Sequence, residues 1–123
     1  MSGSMNLNHL NLRVRDAGAC REFYERHFGF RHAFDAEGGH FLRNDAGFLL
    51  AVCPADAHRP LPEGVHIGFG VDRADRVIAQ QRSLAAAGVA VSAVDDHRPG
   101  EDYVTFRCWD PDGTEIEVFW DGA

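Results

Sequence analysis

The chain of 123 residues contains no lysine, so all 12 of its basic side chains are arginines. Schiff-base chemistry and a lysine-anchored pyridoxal phosphate both need a primary amine on a side chain, and the sequence therefore excludes both. The 19 acidic residues outnumber the arginines and give a formal net charge of -7. This surplus of negative charge argues against nucleic acid or an anionic membrane surface as a partner.

Cysteines and long apolar runs are also scarce. The three cysteines, Cys20, Cys53 and Cys108, are widely spaced and include no CxxC pair. This usage is typical of reduced thiols in a cytoplasmic protein. No apolar run approaches the roughly 20 residues that a membrane span requires, and the first residues lack the charged and apolar regions of a signal peptide. We therefore expect a cytoplasmic protein without membrane contact, in which residues 1–5 are an expression remnant.

The sequence does contain a repeated order of elements. Alternating and helical apolar spacings predict a strand, a helix and three strands in residues 6–53, and the same order in residues 65–121. The proline-rich residues 54–64 between them have no period and are predicted to be a linker. We therefore predict one α+β domain, residues 6–121, made of two tandem βαβββ modules. The predicted strands are Leu7–Arg15, Arg31–Asp35, Gly39–Asn44, Phe48–Cys53, Val65–Val71, Val89–Val94, Tyr103–Trp109 and Thr114–Trp120, and the predicted helices run from the N-cap Asp16 to about His27 and over Arg73–Ala87.

Three of these strands have one apolar face and carry a side chain on the other face that can bind a metal. His9 opens the first module, His66 opens the second, and Glu117 stands four residues after Gly113 of a tight turn. Alone, each would ordinarily be a solvated surface residue. The two histidines occupy matching positions in the two modules, however, and the turn fixes the register of Glu117, which together favour a shared site. Two neutral imidazoles and one carboxylate suit Fe(II), Mn(II), Ni(II) or Zn(II), with open positions for a substrate.

The chain resembles members of the vicinal oxygen chelate superfamily, also called the glyoxalase/bleomycin-resistance/extradiol-dioxygenase superfamily. The resemblance rests on NHLNLRV around His9, VHIGFGV around His66 and DPDGTEIEVF with Glu117, and it extends from about Asn6 to Trp120. It implies that the modules form a curved mixed sheet that cups one divalent metal ion, with helices on the outer face. It also implies His9, His66 and Glu117 as the metal ligands, and a homodimer in which paired modules of both chains often build the site.

Two positions depart from the known activities of that superfamily. Its glyoxalases carry a second metal-bound carboxylate where this chain has Ala51, and alanine cannot take a proton. Its extradiol dioxygenases and fosfomycin thiol-transferases place a tyrosine where this chain has Arg107. None of the three activities therefore fits the sequence cleanly.

Further side chains on the polar faces complete the predicted site. Glu117 and Tyr103 are the predicted catalytic residues, and Tyr103 or a metal-bound water is the expected proton carrier. Arg107 either clamps an anionic group of the substrate by two hydrogen bonds or pairs with a surface carboxylate. The predicted substrate-binding residues are Arg107, Thr105, Asn11, Arg13 and Phe119. The remaining histidines have no partner by pattern and are expected to be surface or structural residues; they are His27, His32, His40, His58 and His97.

Together these features predict a metalloenzyme that chelates a small oxygenated substrate, one that can be anionic, and stabilises an oxyanion or enolate-like intermediate. Lyase, isomerase or thiol-transferase chemistry is favoured over an extradiol-type dioxygenase with Fe(II). A metal-free small-molecule binding protein of the bleomycin-resistance type and an interaction domain with a relict site are the alternatives.

Overall fold

The computed structural model describes residues 3–122, so Met1 and Ser2 of the predicted expression remnant, and Ala123, lie outside the described residues. The chain divides between Arg59 and Pro60 into two compact units. The first unit contains β1 (His9–Val14), α1 (Ala17–His27), β2 (Arg31–Ala36), β3 (Gly39–Arg43) and β4 (Leu49–Pro54). The second unit contains β5 (Ile67–Gly70), α2 (Ala74–Ala86), β6 (Asp95–Asp96), β7 (Val104–Trp109) and β8 (Glu115–Trp120). The predicted α+β class with two βαβββ modules is confirmed.

The first unit is a four-stranded sheet in the order β1-β4-β3-β2, with β1 parallel to β4 and the other pairs antiparallel. The helix α1 begins as predicted at Asp16, whose carboxylate accepts a hydrogen bond from the backbone N–H of Ala19 at 3.0 Å, which satisfies one of the unpaired donors at the start of the helix. The helix packs on β3 and β4. The buried side chains between helix and sheet are Leu12, Val14, Cys20, Phe23, Tyr24, Leu42, Leu50 and Val52.

The second unit repeats this arrangement, with the strand order β5-β8-β7-β6 and with β5 parallel to β8. The helix α2 packs on β7 and β8. The predicted alternation is confirmed in β7, where every second side chain is buried, and in β8 as far as Val118; Trp120, at the end of β8, is only half-buried. The buried core side chains here are Val77, Leu84, Val104, Phe106, Cys108, Ile116 and Val118.

The turn between β7 and β8 fixes the register of the strand that follows it. The buried carboxylate of Asp110 accepts hydrogen bonds from the backbone N–H groups of Asp112, at 2.8 Å, and Thr114, at 2.9 Å. Gly113 has a φ of 85°, which favours glycine. This turn places Glu117 directly opposite Arg107 in the antiparallel ladder.

The predicted strand Val89–Val94 is wrong. The structure has only an isolated bridge in that range, between Val91 and Cys108, and the regular pairing with β7 is limited to the two residues of β6. Two backbone hydrogen bonds frame this bridge, from the N–H of Ser92 to the carbonyl of Arg107 at 2.7 Å and from the N–H of Trp109 to the carbonyl of Ala90 at 3.3 Å, and side-chain hydrogen bonds continue beside them. The N–H of Arg107 donates to the hydroxyl of Ser92 at 2.8 Å, while the carbonyl of Ser92 accepts from the side chain of Gln81 at 3.1 Å. Such bonds compete with regular backbone pairing.

The apolar face predicted for Val65–Val71 is less buried than expected. Val65 is 50% exposed, and Ile67 and Phe69 are only half-buried. The reason is that β5 is the edge strand next to β8, whereas α2 packs mainly on β7 and β8. Neither helix of the described chain is long and apolar enough to cross a membrane.

Candidate functional site

Glu117 is the centre of the polar arrangement in the second unit. Its neighbours Ile116 and Val118 are buried, so the alternation of β8 directs Glu117 to the opposite face of the sheet. Its side chain is 22% exposed. One carboxylate oxygen, Oε1, lies 3.2 Å from Nε2 of His66, and the other, Oε2, accepts a hydrogen bond from the Thr105 hydroxyl at 2.7 Å. Both oxygens of Glu117 therefore have a defined partner.

The contacts of His66 determine which of its nitrogens is free to bind a metal. Nδ1 lies 3.1 Å from the backbone carbonyl of Gly64, and because a carbonyl only accepts, Nδ1 must carry a proton. Nε2 faces a carboxylate oxygen of Glu117, a contact that an imidazole–carboxylate ion pair makes and that also places both atoms within reach of one shared cation. In metal-binding histidines, the nitrogen that does not bind the ion commonly donates its N–H to a backbone carbonyl, as Nδ1 does here.

Arg107 forms an ion pair with Glu115, its diagonal neighbour on β8. The same Glu115 carboxylate lies 3.8 Å from Nδ1 of His66. Of the two interpretations of Arg107 that the sequence allows, the structure shows the pairing with a carboxylate. The guanidinium nevertheless lies beside the cavity next to Glu117, within reach of anything that binds there.

A cavity of about 450 Å³ lies next to Glu117 within the second unit. It brings together four of the residues that the sequence singled out, which are Tyr103, Thr105, Arg107 and Glu117. The other lining residues are Ser92, Ala93, Asp95 and Phe106. The volume and the mixture of polar and apolar walls are typical of a small-molecule site.

Tyr103 borders this cavity and stacks on His97, with ring centroids 4.0 Å apart and planes 20° apart. Partial burial raises the pKa of Tyr103, and the negative charges of Glu101, Asp95 and Glu117 raise it further. The phenol therefore stays protonated at neutral pH and can donate a hydrogen bond or a proton, but it is a poor base.

Sequence reasoning missed the pair formed by His97 and Asp95. Nε2 of His97 lies 2.9 Å from a carboxylate oxygen of Asp95, close enough for an ion pair although the two are not aligned for a hydrogen bond. The backbone N–H of His97 donates to the carbonyl of Tyr103 at 2.9 Å, which closes the loop and stacks the two rings. No periodic pattern signals a contact made by a loop closure, so nothing in the sequence could have found it.

Phe119 covers the glycines of β5. Carbon atoms built in place of a side chain on Gly68 and Gly70 would each come within 3.7 Å of the Phe119 ring. These are ordinary contact distances, so the Phe119 ring lies against the glycines of β5, and an alanine at either position would still fit beside it. Phe119 belongs to the apolar surroundings of Glu117 and is not among the residues that line the cavity.

The candidates from the first module lie together on the exposed face of β1. His9, Asn11 and Arg13 alternate with the side chains that pack under α1, and Nδ1 of His9 lies 2.8 Å from the side-chain oxygen of Asn8. Asn11 pairs across the sheet with Ala51, which is buried. In the first unit, His9 is therefore the candidate ligand on the exposed face of β1. Ala51, at the position of the second carboxylate ligand of glyoxalases, has no side chain that can bind a metal.

Comparison with known proteins covers nearly the whole chain. The family model described as the Glyoxalase/Bleomycin resistance protein/Dioxygenase superfamily matches residues 6–118. No curated protein matches the sequence.

Several solved structures share the fold. A possible glyoxalase from Bacillus cereus is 28% identical, with a TM-score of 0.77 over 94% of this chain and 98% of that chain. A lactoylglutathione lyase from Agrobacterium tumefaciens is 22% identical, with a TM-score of 0.74 over 97% and 96%. A variant of the fosfomycin resistance protein FosX from Listeria monocytogenes, complexed with Mn(II) and 1S,2S-dihydroxypropylphosphonic acid, is 18% identical, with a TM-score of 0.75 over 96% and 90%. At such low identity the last two establish the fold alone.

Proposed function

The chain belongs to the glyoxalase/bleomycin resistance protein/dioxygenase superfamily, and we propose that it is a divalent-metal-dependent enzyme of that superfamily. The observation that carries this proposal is the pairing of His66 and Glu117. The backbone carbonyl of Gly64 holds one nitrogen of the imidazole, and the other nitrogen points at Glu117. The Thr105 hydroxyl holds the second oxygen of that carboxylate. Ligands fixed by outer hydrogen bonds are what a metal site requires.

His66, Glu117 and His9 are the proposed ligands of one ion, which would be Fe(II), Mn(II), Ni(II) or Zn(II). When bound, such an ion supplies Lewis acidity toward the adjacent oxygen atoms of a chelated substrate. His9 comes from the first unit, and we propose that it completes the site either within one chain or across a homodimer. The exposed Val65, two residues before β5, and the half-buried Ile67 on this edge strand support a dimer, because a partner would cover them.

The charges around the cavity favour an oxygenated, anionic substrate once a cation is present. Asp95 and Glu117 contribute two carboxylates to the lining and Arg107 contributes one guanidinium, so these side chains alone repel an anion. A divalent ion on Glu117 reverses this balance. Arg107 can then exchange its contact with Glu115 for two hydrogen bonds to a carboxylate or phosphonate group.

Tyr103 is the proposed proton donor. Its pKa is raised, so the phenol is protonated when substrate arrives and can stabilise negative charge that develops on a substrate oxygen. Ala51 contributes no second carboxylate, and we therefore favour lyase, isomerase or thiol-transferase chemistry that does not depend on a base at that position. Thr105 orients Glu117, while Asn11, Arg13 and Phe119 are proposed as further substrate contacts.

The compartment is proposed from the cysteines. Cys20, Cys53 and Cys108 are all buried and none of them is in a disulfide, which is consistent with the reducing cytoplasm.

The proposed function can be tested without knowing the substrate, using Mn(II) with oxalate as a simple ligand that chelates through adjacent oxygens. Electron paramagnetic resonance follows the loss of the free Mn(II) signal on binding. We expect oxalate to perturb the spectrum of protein-bound Mn(II) in the wild type, and Glu117→Gln to abolish that effect. Glu22→Gln, on the exposed side of α1, is the matched control and should behave as wild type.

A second arm separates an enzyme from a binding protein. If small molecules from a cell extract bind tightly and that binding survives removal of metal by EDTA, the protein is a metal-free binding protein and the proposed function is wrong. Arg107→Ala should weaken oxalate binding while leaving Mn(II) binding intact, because the guanidinium contacts the substrate and not the ion.

A further inference from the structure

A second group of metal-binding side chains lies on the first unit, at the hairpin of β2 and β3. Nε2 of His32 and Nδ1 of His40 each lie 2.8 Å from the same oxygen, Oδ1, of Asp35. The three ligand atoms all fall within 4.8 Å of one another. Two imidazoles and one carboxylate converge here, as proposed around Glu117, but with residues that no pattern in the sequence connects.

A β-bulge brings these residues to one face of the sheet. His32 and Asp35 are three positions apart, and in a regular strand they would point to opposite faces. The register of β2 against β3 shifts between His32 and Phe34, which leaves Ala33 without a partner. The extra residue reverses the alternation, so His32 and Asp35 share a face. Bulges redirect side chains in this way and are common beside functional sites.

The turn of the hairpin holds Asp35 opposite His40. Glu37 and Gly38 form a two-residue connection in which both have positive φ, 54° and 77°. This type of turn matches the twist of two antiparallel strands and fixes their register. Asp35 and His40 are directly paired across the ladder as a result. The ligand geometry therefore follows from the backbone and does not depend on long, flexible side chains.

The cluster faces away from the proposed catalytic ligand of the same unit. His40 shares its face of β3 with Leu42, which is buried, while Phe41 between them points to the other face, stacks on Phe34 and pairs across the sheet with Ala51. Asn11 also pairs with Ala51, and by the alternation of β1 it shares its face with His9. The cluster and His9 are thus on opposite faces of the first sheet.

The spacing of the ligand atoms suits a small transition-metal ion. Ligands about 2.0–2.1 Å from a tetrahedral ion lie roughly 3.3 Å apart. Each nitrogen must therefore move away from the Asp35 oxygen by only about 0.5 Å, and the two nitrogens, which lie within 4.8 Å of each other, must settle at the same spacing. The side chains have room to do so, because those of His32 and His40 are 32% and 28% exposed. Imidazole nitrogen disfavours Mg(II) and Ca(II), which prefer oxygen.

We propose that His32, Asp35 and His40 form a second metal site, which binds a Zn(II)-class ion and ties the edge strand β2 to β3. The coordinating atoms are Nε2 of His32, Nδ1 of His40 and a carboxylate oxygen of Asp35. Three protein ligands leave a fourth position to water. Affinity should follow the general order for nitrogen ligands, with Zn(II) and Ni(II) bound more tightly than Mn(II) or Fe(II).

The test is a calorimetric titration of the whole protein with Zn(II). As single variants, His40→Ala and Asp35→Asn should each bind one equivalent of Zn(II) per chain fewer than the wild type. When either is combined with Glu117→Gln, the double variant should again bind one equivalent fewer than Glu117→Gln alone. His58→Ala is the control, an exposed histidine outside the cluster, and should leave the number of equivalents unchanged. Nitrogen NMR provides a second readout, in which Zn(II) should give Nε2 of His32 and Nδ1 of His40 the shift of metal-bound nitrogens and leave the opposite ring nitrogens as protonated N–H groups.

The same data can overturn the proposal. If His40→Ala and Asp35→Asn bind as many equivalents of Zn(II) as the wild type, the ion lies elsewhere and the hairpin site does not exist. If Zn(II) is lost in Glu117→Gln and nothing is left for His40→Ala to remove, only the proposed catalytic site binds metal. If His40→Ala loses one equivalent of Zn(II) and Glu117→Gln loses none, the hairpin site is supported and the proposed function is contradicted.

Discussion

Thr105→Val removes one hydrogen bond from the proposed metal ligand Glu117 and little else. The Thr105 hydroxyl donates to Oε2 of Glu117 at 2.7 Å. Valine has nearly the same shape and suits a strand as well as threonine does. Thr105 lies between the buried residues Val104 and Phe106, whose packing the substitution leaves in place. The change therefore probes how Glu117 is oriented, with little disturbance of the fold.

The magnitude follows from the role of an outer hydrogen bond. Loss of such a bond typically lowers metal affinity by about 10- to 100-fold, which corresponds to about 1.4–2.7 kcal/mol of binding free energy. The free energy of unfolding should fall by less, by about 1 kcal/mol at most, because Glu117 is partly exposed and water can replace the lost donor. The account therefore predicts a large effect on binding and a small effect on stability.

The assay is calorimetric titration of Thr105→Val with Mn(II), beside thermal unfolding of the same metal-free protein. Thr105→Ser keeps the hydroxyl and is the matched control, with an affinity expected within about threefold of wild type. An unchanged affinity in Thr105→Val would refute the reasoning, because Glu117 would then need no orientation by Thr105. An equal loss in Thr105→Ser would show that the methyl group, and not the hydroxyl, is what matters.

Three further predictions concern the scaffold around the sites. Asp110→Ala leaves two backbone N–H groups of the β7–β8 turn without their acceptor and should lower the free energy of unfolding by about 2–4 kcal/mol. Gly39→Ala places a carbon 2.6 Å from a backbone oxygen of β4 and should cost about 1–3 kcal/mol. Burial raises the pKa of the Cys108 thiol from 9.0 to about 12. The unfolded thiol therefore loses its proton first, and stability should decline above about pH 9 by up to about 1.4 kcal/mol per pH unit.

Each of these predictions has a matched control and is measured by chemical denaturation. Asp110→Asn retains an acceptor oxygen and should lose less than Asp110→Ala; equal losses would mean that the hydrogen bonds are not what stabilises the turn. Gly18→Ala, on α1, meets only one atom at 3.5 Å and should be neutral or stabilising. A similarly neutral Gly39→Ala would contradict the close approach to β4. Cys108→Ala should remove the part of the decline that begins near pH 9, below the range of the phenol of Tyr103, and a slope between pH 9 and 10 identical to that of wild type would show that another group causes it.

The parts of the fold that the sequence predicts are those set by local chemistry. The Asp16 cap, the alternation of β7 and β8, and the turn at Gly113 all depend on residues within a few positions of one another. The same local rules place Glu117 on the open face of β8 beside Thr105 and Arg107. This is why four of the second-module candidates, Tyr103, Thr105, Arg107 and Glu117, line one cavity.

The parts that sequence reasoning missed depend on interactions between distant residues. The strand expected at Val89–Val94 is interrupted because Ser92 bonds to Arg107 through its side chain, a contact 15 positions away. The alternation of β7 is compatible with both partners predicted for Arg107, an anionic group of a substrate and a surface carboxylate. The structure shows the second, an ion pair with Glu115.

The hairpin cluster shows the same limit at a smaller scale. A strict alternation puts His32 and Asp35 on opposite faces, so no count of positions could join them to His40. A single unpaired residue, Ala33, changes the outcome. When a bulge is not recognised, every residue beyond it in the strand is therefore assigned to the wrong face of the sheet.

The measurement that tests the central claim most directly is the metal content of the purified protein by elemental mass spectrometry. Wild type would be compared with Glu117→Gln and His66→Ala after equal exposure to Fe(II), Mn(II), Ni(II) and Zn(II). The account predicts that each variant holds one divalent ion per chain fewer than wild type, whatever the hairpin cluster retains. Equal metal content in all three proteins would contradict it, because the pairing of His66 and Glu117 would then be an ordinary surface contact.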